Sequence, residues 1–492
     1  MQDMTVSMLQ ALKNKSNQTV TENGAAAVKS TGAATLDLFA VIGALRNAKD
    51  TVLIHRFMKA WAEDRDIAMK LLFYARDIRG GLGERRVFRI ILHWMASSET
   101  ESVIKNIPLI AEYGRFDDLL VLLDTPCEKE AMDYISRTLA QDMVLMAQNQ
   151  PVSLMAKWLP SVNASNAEAV RQAKKIAGAM GMKDAQYRKM LSSLRAYIHI
   201  LENNLREKDY TFDYAKQPAR AMLKYRKAFI RNDQQRYTSY IKKVGRGEAS
   251  MHVGTLMPYD LVCQALDFCG STEERESLDV TWNALENYTD GRNALAVIDG
   301  SSSMYCSGNP SPCDVALSLG IYFAEHNTGA FHNHFITFSN RPQLVEIQGR
   351  ALVDKVRYCR SYNEIANTNI QKVFELVLAA AVENHLPQSE LPETLYFISD
   401  MEFDRCTIDA SLSNFEYARM LYEAHGYKLP QVVFWNVKSR NKQYPVGKNQ
   451  QGVMLVSGAS PRVFSMVMEN KMTPYDYMMS VLGAERYAPV SA

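Results

Sequence analysis

Long hydrophobic runs are missing from this chain of 492 residues. No stretch approaches the roughly 18 consecutive apolar residues that a membrane-spanning helix needs, so we expect no membrane span. Residues 1–15 also lack the apolar segment of a secretory signal, and we therefore expect a cytoplasmic protein. With 47% hydrophobic and 22% charged residues, the composition is that of a globular chain long enough for two or three domains.

Cysteine and histidine are too scattered for a disulfide framework or a zinc site. The seven cysteines include no C-x-x-C pair and lie within apolar segments, which indicates reduced thiols in the core. Cys306 and Cys313 flank one polar loop and could pair on oxidation. The nine histidines form no cluster of the kind that holds zinc.

Two hydrophobic patterns divide the chain. From about residue 36 to 280, apolar residues recur at a spacing of three to four with short polar breaks, which predicts an α-solenoid of helical hairpins. From residue 293 onward, short apolar strands alternate with helical stretches, which predicts a doubly wound, largely parallel sheet. The predicted fold class is α + α/β, with a helical domain over 1–290 and an α/β domain over 291–492. The predicted strands cover 295–298, 335–338, 395–398, 432–437 and 453–456.

Residues 294–304, Ala-Leu-Ala-Val-Ile-Asp-Gly-Ser-Ser-Ser-Met, join an apolar strand to a turn rich in oxygen donors. Mg²⁺ takes one or two carboxylates plus neutral oxygens. Two later residues, Thr368 and Asp400, offer further donors, and Asp400 ends a predicted strand, where ligand sites of open α/β sheets lie. Asp, Gly and Ser are also ordinary turn residues, so a plain polar turn is the alternative. The predicted ligands of a divalent cation, Mg²⁺ or Mn²⁺, are Asp299, Ser301, Ser303, Thr368 and Asp400.

Positive charge is concentrated between residues 171 and 246, where 19 Lys and Arg face 6 Asp and Glu although the whole chain has a net charge of only +2. Such an asymmetry is typical of a surface that binds RNA or DNA. Interleaved aromatics such as Tyr187, Tyr225 and Tyr237 could stack on bases, or could form the apolar side of amphipathic helices. The candidate RNA-binding residues are Arg171, Lys174, Lys175, Arg188, Lys189, Arg195, Lys224, Arg226, Lys227, Arg231, Arg236, Lys242 and Lys243.

A second basic cluster surrounds the glycine-rich turn of residues 80–83, just before a predicted helix. Free backbone N–H groups at such a helix start can bind phosphate. The turn lacks the Gly-Lys-Ser/Thr of a nucleotide-binding loop, which argues against an ATPase. A plain turn between two helices, with solvated arginines, is the alternative. The possible phosphate-binding residues are Arg76, Arg79, Arg85 and Arg86.

The order and spacing of the cation ligands resemble a von Willebrand factor A domain with its metal-ion-dependent adhesion site. That family often has glycine before the Thr and after the last Asp, where this chain has Asn367 and Met401. This difference leaves open whether Glu402 also takes part in the metal site. Joined to a basic helical region, this layout resembles the Ro autoantigen, or TROVE-module, proteins and an uncharacterised TROVE-related family. The segments that carry the second resemblance are 21–24, 30–32, 36–39, 76–86, 113–118, 156–160, 187–189, Tyr237 and 399–403.

The resemblance implies a ring of HEAT-like helical repeats closed by the A domain. It also implies a ribonucleoprotein scaffold that binds small structured or misfolded RNA in RNA quality control or stress response. The predicted cation site has no general base, second metal or nucleophile–base pair, so we expect no enzyme. The alternative is a metal-dependent adaptor, in which a protein partner donates a carboxylate to the cation.

Overall fold

The computed structural model describes residues 7–289, 291, 293–305, 308–362, 368–405, 414–466 and 472–492. The chain forms two compact units, and neither is continuous in sequence. The helical unit contains Lys49–Phe57, Arg65–Thr255 and Glu485–Ala492. The sheet unit contains the chain up to Ala48, together with Met58–Asp64 and Leu256–Ala484. The predicted boundary near residue 290 lies inside the sheet unit, in the loop before its first long strand.

Helices before residue 255 follow one another with short connections, as the apolar spacing predicts. Pairs that are close in sequence pack together, among them α4 with α5, α10 with α11, and α13 with α14 in the numbering below. The helices are α1 (Met8–Asn17), α2 (Ala34–Phe39), α3 (Asp50–Glu63), α4 (Arg65–Arg76), α5 (Arg85–Ser98), α6 (Thr100–Asn106), α7 (Ile110–Tyr113), α8 (Glu128–Ala147), α9 (Met155–Trp158), α10 (Ala167–Ala179), α11 (Asp184–Tyr197), α12 (Leu201–Glu207), α13 (Ala219–Asn232) and α14 (Gln234–Gly245).

The remaining elements belong to the sheet unit, which also holds a short hairpin near the start of the chain. The strands are β1 (Gln18–Val20), β2 (Ala26–Val28), β3 (Ala294–Asp299), β4 (His334–Phe338), β5 (Leu344–Glu346), β6 (Thr394–Ser399), β7 (Gln431–Asn436) and β8 (Val453–Ser457). The helices are α15 (Pro258–Leu266), α16 (Thr272–Asn283), α17 (Pro312–His326), α18 (Leu352–Ser361), α19 (Ile370–Glu383), α20 (Asn414–Ala424), α21 (Val463–Met466) and α22 (Pro474–Leu482).

The main sheet has the strand order β5-β4-β3-β6-β7-β8, and all its pairs are parallel except β4 with β5. Strands β3, β6 and β7 are buried along their whole length, which explains their continuous apolar sequences. Helix α17 packs on β3 at Gly320, where a Cβ would lie 2.2 Å from the Ile298 Cδ1 atom. The predicted fold class, helical followed by α/β, is confirmed at this level.

The chain runs outward from β3 through β4 to β5 and then returns to the other side of β3 as β6. The carboxyl ends of β3 and β6 therefore flank a topological switch point, the usual place for a ligand site in an open α/β sheet. The sequence did not reveal the antiparallel edge strand β5. Within the described part of the chain, no helix is long and apolar enough to cross a membrane.

Candidate functional site

Asp299 ends β3, and its carboxylate is completely buried. Its Oδ1 atom accepts a hydrogen bond from the backbone N–H of Ser301 at 2.8 Å, and its Oδ2 atom accepts one from the Ser399 hydroxyl at 2.6 Å. The hydroxyl oxygens of Ser301 and Ser303 lie 3.1 Å apart. Burial, and then the negative charge of Asp400, raise the pKa of Asp299 to about 6. A compact group of oxygen donors therefore lies at the end of β3.

Asp400 directly follows β6, beside β3, and is 2% exposed. Its Oδ1 atom accepts a hydrogen bond from the backbone N–H of Glu402 at 3.3 Å. Its Oδ2 atom has no hydrogen-bond donor among the described residues, although one guanidinium nitrogen of Arg440 lies 3.2 Å away as an ion-pair partner. A buried carboxylate oxygen without a hydrogen bond is costly. A bound cation would relieve that cost.

Thr368 lies just before α19 and is 2% exposed. Its hydroxyl donates to the backbone carbonyl of Glu402 at 2.8 Å, which joins it to the loop that carries Asp400. Asn367, next to it, lies outside the described residues. Met401, where the resemblance to von Willebrand A domains leads one to expect glycine, has a φ of +67°, in the left-handed region that favours glycine.

Glu402 is buried, and its carboxylate is occupied by donors from the protein. The Asn441 amide donates to Oε1 at 2.8 Å, and the Gln443 amide donates to Oε1 and Oε2 at 2.7 and 2.8 Å. The backbone N–H of Glu22 donates to Oε2 at 2.9 Å. With both oxygens taken up in this way, Glu402 is suited to hold the surrounding loops together rather than to bind a cation.

This donor set fits a hard divalent cation. Burial, and then the negative charge of Asp400, disfavour the ionised form of Asp299, and a cation bound beside Asp299 would reverse that effect. In the described ranges, no group of three or more His, Cys, Asp and Glu is placed to hold a metal ion. The hydroxyls of Ser301, Ser303 and Thr368 would have to complete the coordination, with water or an added carboxylate. The cation itself stays a prediction.

The N-terminal turn, residues 21–24 between β1 and β2, lies against this site, which the sequence did not predict. The Thr21 hydroxyl donates to the Phe403 carbonyl at 2.6 Å. The Asn23 amide donates to the Glu402 carbonyl at 2.8 Å and lies 3.4 Å from the Thr368 hydroxyl oxygen. No local pattern could have indicated this arrangement, because the partners are more than 340 residues apart in sequence.

Four exposed cations form a stripe along α13, which we call the α13 stripe. They are Arg220, Lys224, Lys227 and Arg231. Their spacing of four, three and four residues places them on one face of the helix. The neighbouring helix α14 adds exposed Lys242 and Lys243, and α11 adds exposed Arg188 and Lys189. Arg220 was not among the predicted residues, although the helical spacing from Lys224 could have identified it.

Several predicted RNA-binding cations have other contacts. Arg226 is 5% exposed and faces the core with Met222 and Phe229, so the prediction that it lies on a binding surface is wrong. Arg195 is half-buried and donates to the backbone carbonyls of Ala156 and Leu159 at 2.8 and 2.7 Å, which corrects its assignment as an outward cation. Burial lowers its pKa.

Cations at the start of the basic segment are paired with acids. Arg171 and Lys175 both contact the carboxylate of Asp124, and Lys175 also contacts Glu128 at 2.8 Å. Hydrogen bonds from Arg171 and then Lys175 lower the pKa of Asp124 to about 2. Lys174 lies 3.9 Å from an oxygen of Asp184. Arg236 lies 3.1 Å from an oxygen of Asp233. Acidic neighbours therefore partly compensate the charge of these four cations.

Most of the aromatic side chains in the basic segment form the core. Tyr187, Phe229, Tyr237 and Tyr240 are buried, and the last three surround the ring of Tyr214. The apolar alternative is therefore the correct one for these residues. Stacking on RNA bases is not available to them.

Backbone N–H groups of the glycine-rich turn before α5 bond within the protein, so the turn itself does not offer them to a phosphate. The N–H groups of Gly81 and Gly83 donate to the Asp77 carbonyl, and that of Leu82 donates to the Tyr74 carbonyl. Arg76 is 3% exposed and pairs with Asp118 at 2.7 Å.

The other three arginines of this cluster are exposed. Exposed arginines are what the alternative, a plain turn between two helices with solvated arginines, predicts. Arg79 donates to the Glu112 carbonyl at 2.9 Å, and Arg86 pairs with Asp50. Arg85 is exposed on the first turn of α5.

None of the five described cysteines, Cys127, Cys263, Cys269, Cys313 and Cys359, forms a disulfide. Cys306, which could pair with Cys313, lies outside the described residues.

Two family models and one relative match most of the chain. Residues 21–137 and 129–293 match the family described as domain of unknown function DUF2828, and residues 293–483 match domain of unknown function DUF7788. Uncharacterized protein L728 of Acanthamoeba polyphaga mimivirus is 30% identical over 508 residues, covering 95% of this chain and 87% of that protein.

Among solved structures, the crystal structure of the Deinococcus radiodurans RO (RSR) protein aligns with 12% identity and a TM-score of 0.35, over 91% of this chain and 93% of that one. The DUF2828 match covers more than half of the chain, and the mimivirus relative is 30% identical over 95% of it. This chain belongs to the DUF2828 family.

Proposed function

We propose that this protein is a non-enzymatic RNA-binding scaffold that holds RNA on the exposed cations of its helical unit. The observation that carries the proposal is the α13 stripe, because its four side chains are exposed on one helix face. Successive members rise about 4.5–6 Å along the helix, so they offer a regular row of positive charge to a phosphate backbone.

The chemistry of this surface favours recognition of the RNA backbone over recognition of bases. Lysine and arginine contact phosphates in any sequence, whereas base reading needs stacking or hydrogen bonds to base edges. The buried aromatics Tyr187, Tyr237 and Tyr240 cannot stack on bases. The expected ligand is therefore a structured or misfolded RNA, chosen by shape and charge. We further propose that the helical repeats form a ring that the sheet unit closes, and that the protein acts in RNA quality control.

RNA affinity measured against salt concentration tests the proposal. We expect the full chain to bind a structured RNA hairpin with an affinity that falls steeply as salt rises, because bound cations release counterions from the RNA. Binding that does not change between 50 and 200 mM salt would show that phosphate contacts are not responsible. No binding to any structured or single-stranded RNA at 50 mM salt would overturn the proposal.

The carboxylates at the switch point of the sheet support a second candidate function, that of a metal-dependent protein adaptor. The buried Oδ2 atom of Asp400 has no hydrogen-bond donor in the described part of the chain, and it lies at the switch point of the sheet with Asp299. A divalent cation there could take its last ligand from an acidic side chain of a partner. Calorimetric titration with Mn²⁺ should show one site in the wild type and none in Asp299→Asn, which keeps the side-chain shape. Equal binding by both proteins would contradict a site at Asp299.

A further inference from the structure

We propose that Glu22 is an intramolecular carboxylate ligand for the cation site, so that the N-terminal turn occupies the position an acidic partner would need. The proposal rests on the proposed cation site. The main observation is that one guanidinium nitrogen of Arg440 lies 3.0 Å from Glu22 Oε2 and 3.2 Å from Asp400 Oδ2. The two carboxylates therefore share one counter-charge at the edge of the site.

The backbone of the N-terminal turn is fixed, whereas the Glu22 side chain is half-exposed. The Glu22 N–H donates to Glu402 Oε2 at 2.9 Å, and Gly24 pairs with Asp404 as an isolated antiparallel bridge. The N–H of Arg405 donates to the Asn23 carbonyl at 3.0 Å. The Glu22 carboxylate, on a half-exposed side chain paired with Arg440, is thus tethered beside Asp400, which gives it a high effective concentration at the site.

Arg440 explains how the turn can respond to a cation. Its single positive charge compensates Asp400 when no metal is bound. A divalent cation at Asp400 would repel the guanidinium and attract Glu22, because like charges a few ångströms apart disfavour each other. The three carboxylates of Glu22, Asp299 and Asp400 are not grouped around one point in the structure. Glu22 would therefore have to turn from Arg440 toward the cation. There it would add a third carboxylate, and the higher ligand charge would tighten cation binding. An acidic partner would have to displace Glu22 before it could reach the metal.

Mn²⁺ binding to the full chain tests the role of Glu22. In Glu22→Gln we expect affinity for Mn²⁺ to fall about tenfold or more, because one charged ligand is lost. The relaxation rate of water protons near bound Mn²⁺ should rise in the same variant, because water takes the vacated position. Glu346→Gln is the matched control, since Glu346 is an exposed glutamate on β5 in the same unit and should leave both values unchanged.

The outcomes separate this proposal from the cation site itself. If the wild type binds Mn²⁺ and Glu22→Gln binds it equally well with unchanged water relaxation, the role of Glu22 is refuted and the cation site stands. If the wild type binds no Mn²⁺, both are refuted. Amide hydrogen exchange gives a second readout: Mn²⁺ should slow exchange in residues 21–24 of the wild type but not of Glu22→Gln.

Discussion

Neutralising the α13 stripe should remove a defined part of the salt dependence of RNA binding. In the quadruple variant, Arg220, Lys224, Lys227 and Arg231 are replaced by Gln, a residue with a helix propensity close to those of Lys and Arg. The four side chains are exposed, so we expect the fold to be kept. Each phosphate contact on single-stranded RNA contributes about 0.7 to the slope of log affinity against log salt.

Four lost contacts therefore lower that slope by about 2.8, and the wild type should lose roughly 50-fold more affinity than the variant between 50 and 200 mM salt. Fluorescence anisotropy with a labelled single-stranded RNA measures both slopes. The control replaces exposed cations of the sheet unit by Gln, with the same loss of four charges: Lys13, Lys15, Arg350 and Lys428. An equal change of slope in both variants would refute a specific role of the stripe and leave only net charge.

Three further predictions concern stability. Gly43→Ala should destabilise the protein by about 1–3 kcal/mol in chemical denaturation, because its Cβ would lie 2.7 Å from the Gly458 Cα atom; an unchanged midpoint would contradict this close approach. Asp118→Ala should cost about 3–5 kcal/mol, since it leaves the buried Arg76 without its carboxylate; a loss below about 1 kcal/mol would argue against a structural ion pair. Deleting residues 485–492 should lower the melting temperature, because Arg486 and Tyr487 both bond to the buried carboxylate of Asp77; an unchanged temperature would contradict that role.

The long strands could be predicted from the sequence because β3, β6 and β7 are buried on both faces and are therefore continuously apolar. The N-terminal hairpin could not. Strands β1 and β2 have only three residues each, and the turn between them is held by a loop that follows β6. Contacts of that sequence separation leave no local pattern.

The basic surface could be predicted as a region but not residue by residue. Helical spacing alone would have separated Arg226, which lies four residues after Met222 and three before Phe229, from the exposed Lys224 and Lys227. Arg195 gave no such signal, because the carbonyls that it bonds lie on a different segment near α9. The same limit applied to Glu402, whose donors come from residues 22, 441 and 443.

Ultraviolet crosslinking of a structured RNA to the full chain, followed by mass spectrometry of the crosslinked peptides, tests the central claim most directly. We predict crosslinks in peptides from residues 219–246, which contain the α13 stripe and the cations of α14. Crosslinks confined to the sheet unit, or none at an RNA concentration that saturates binding, would contradict RNA binding by the helical unit.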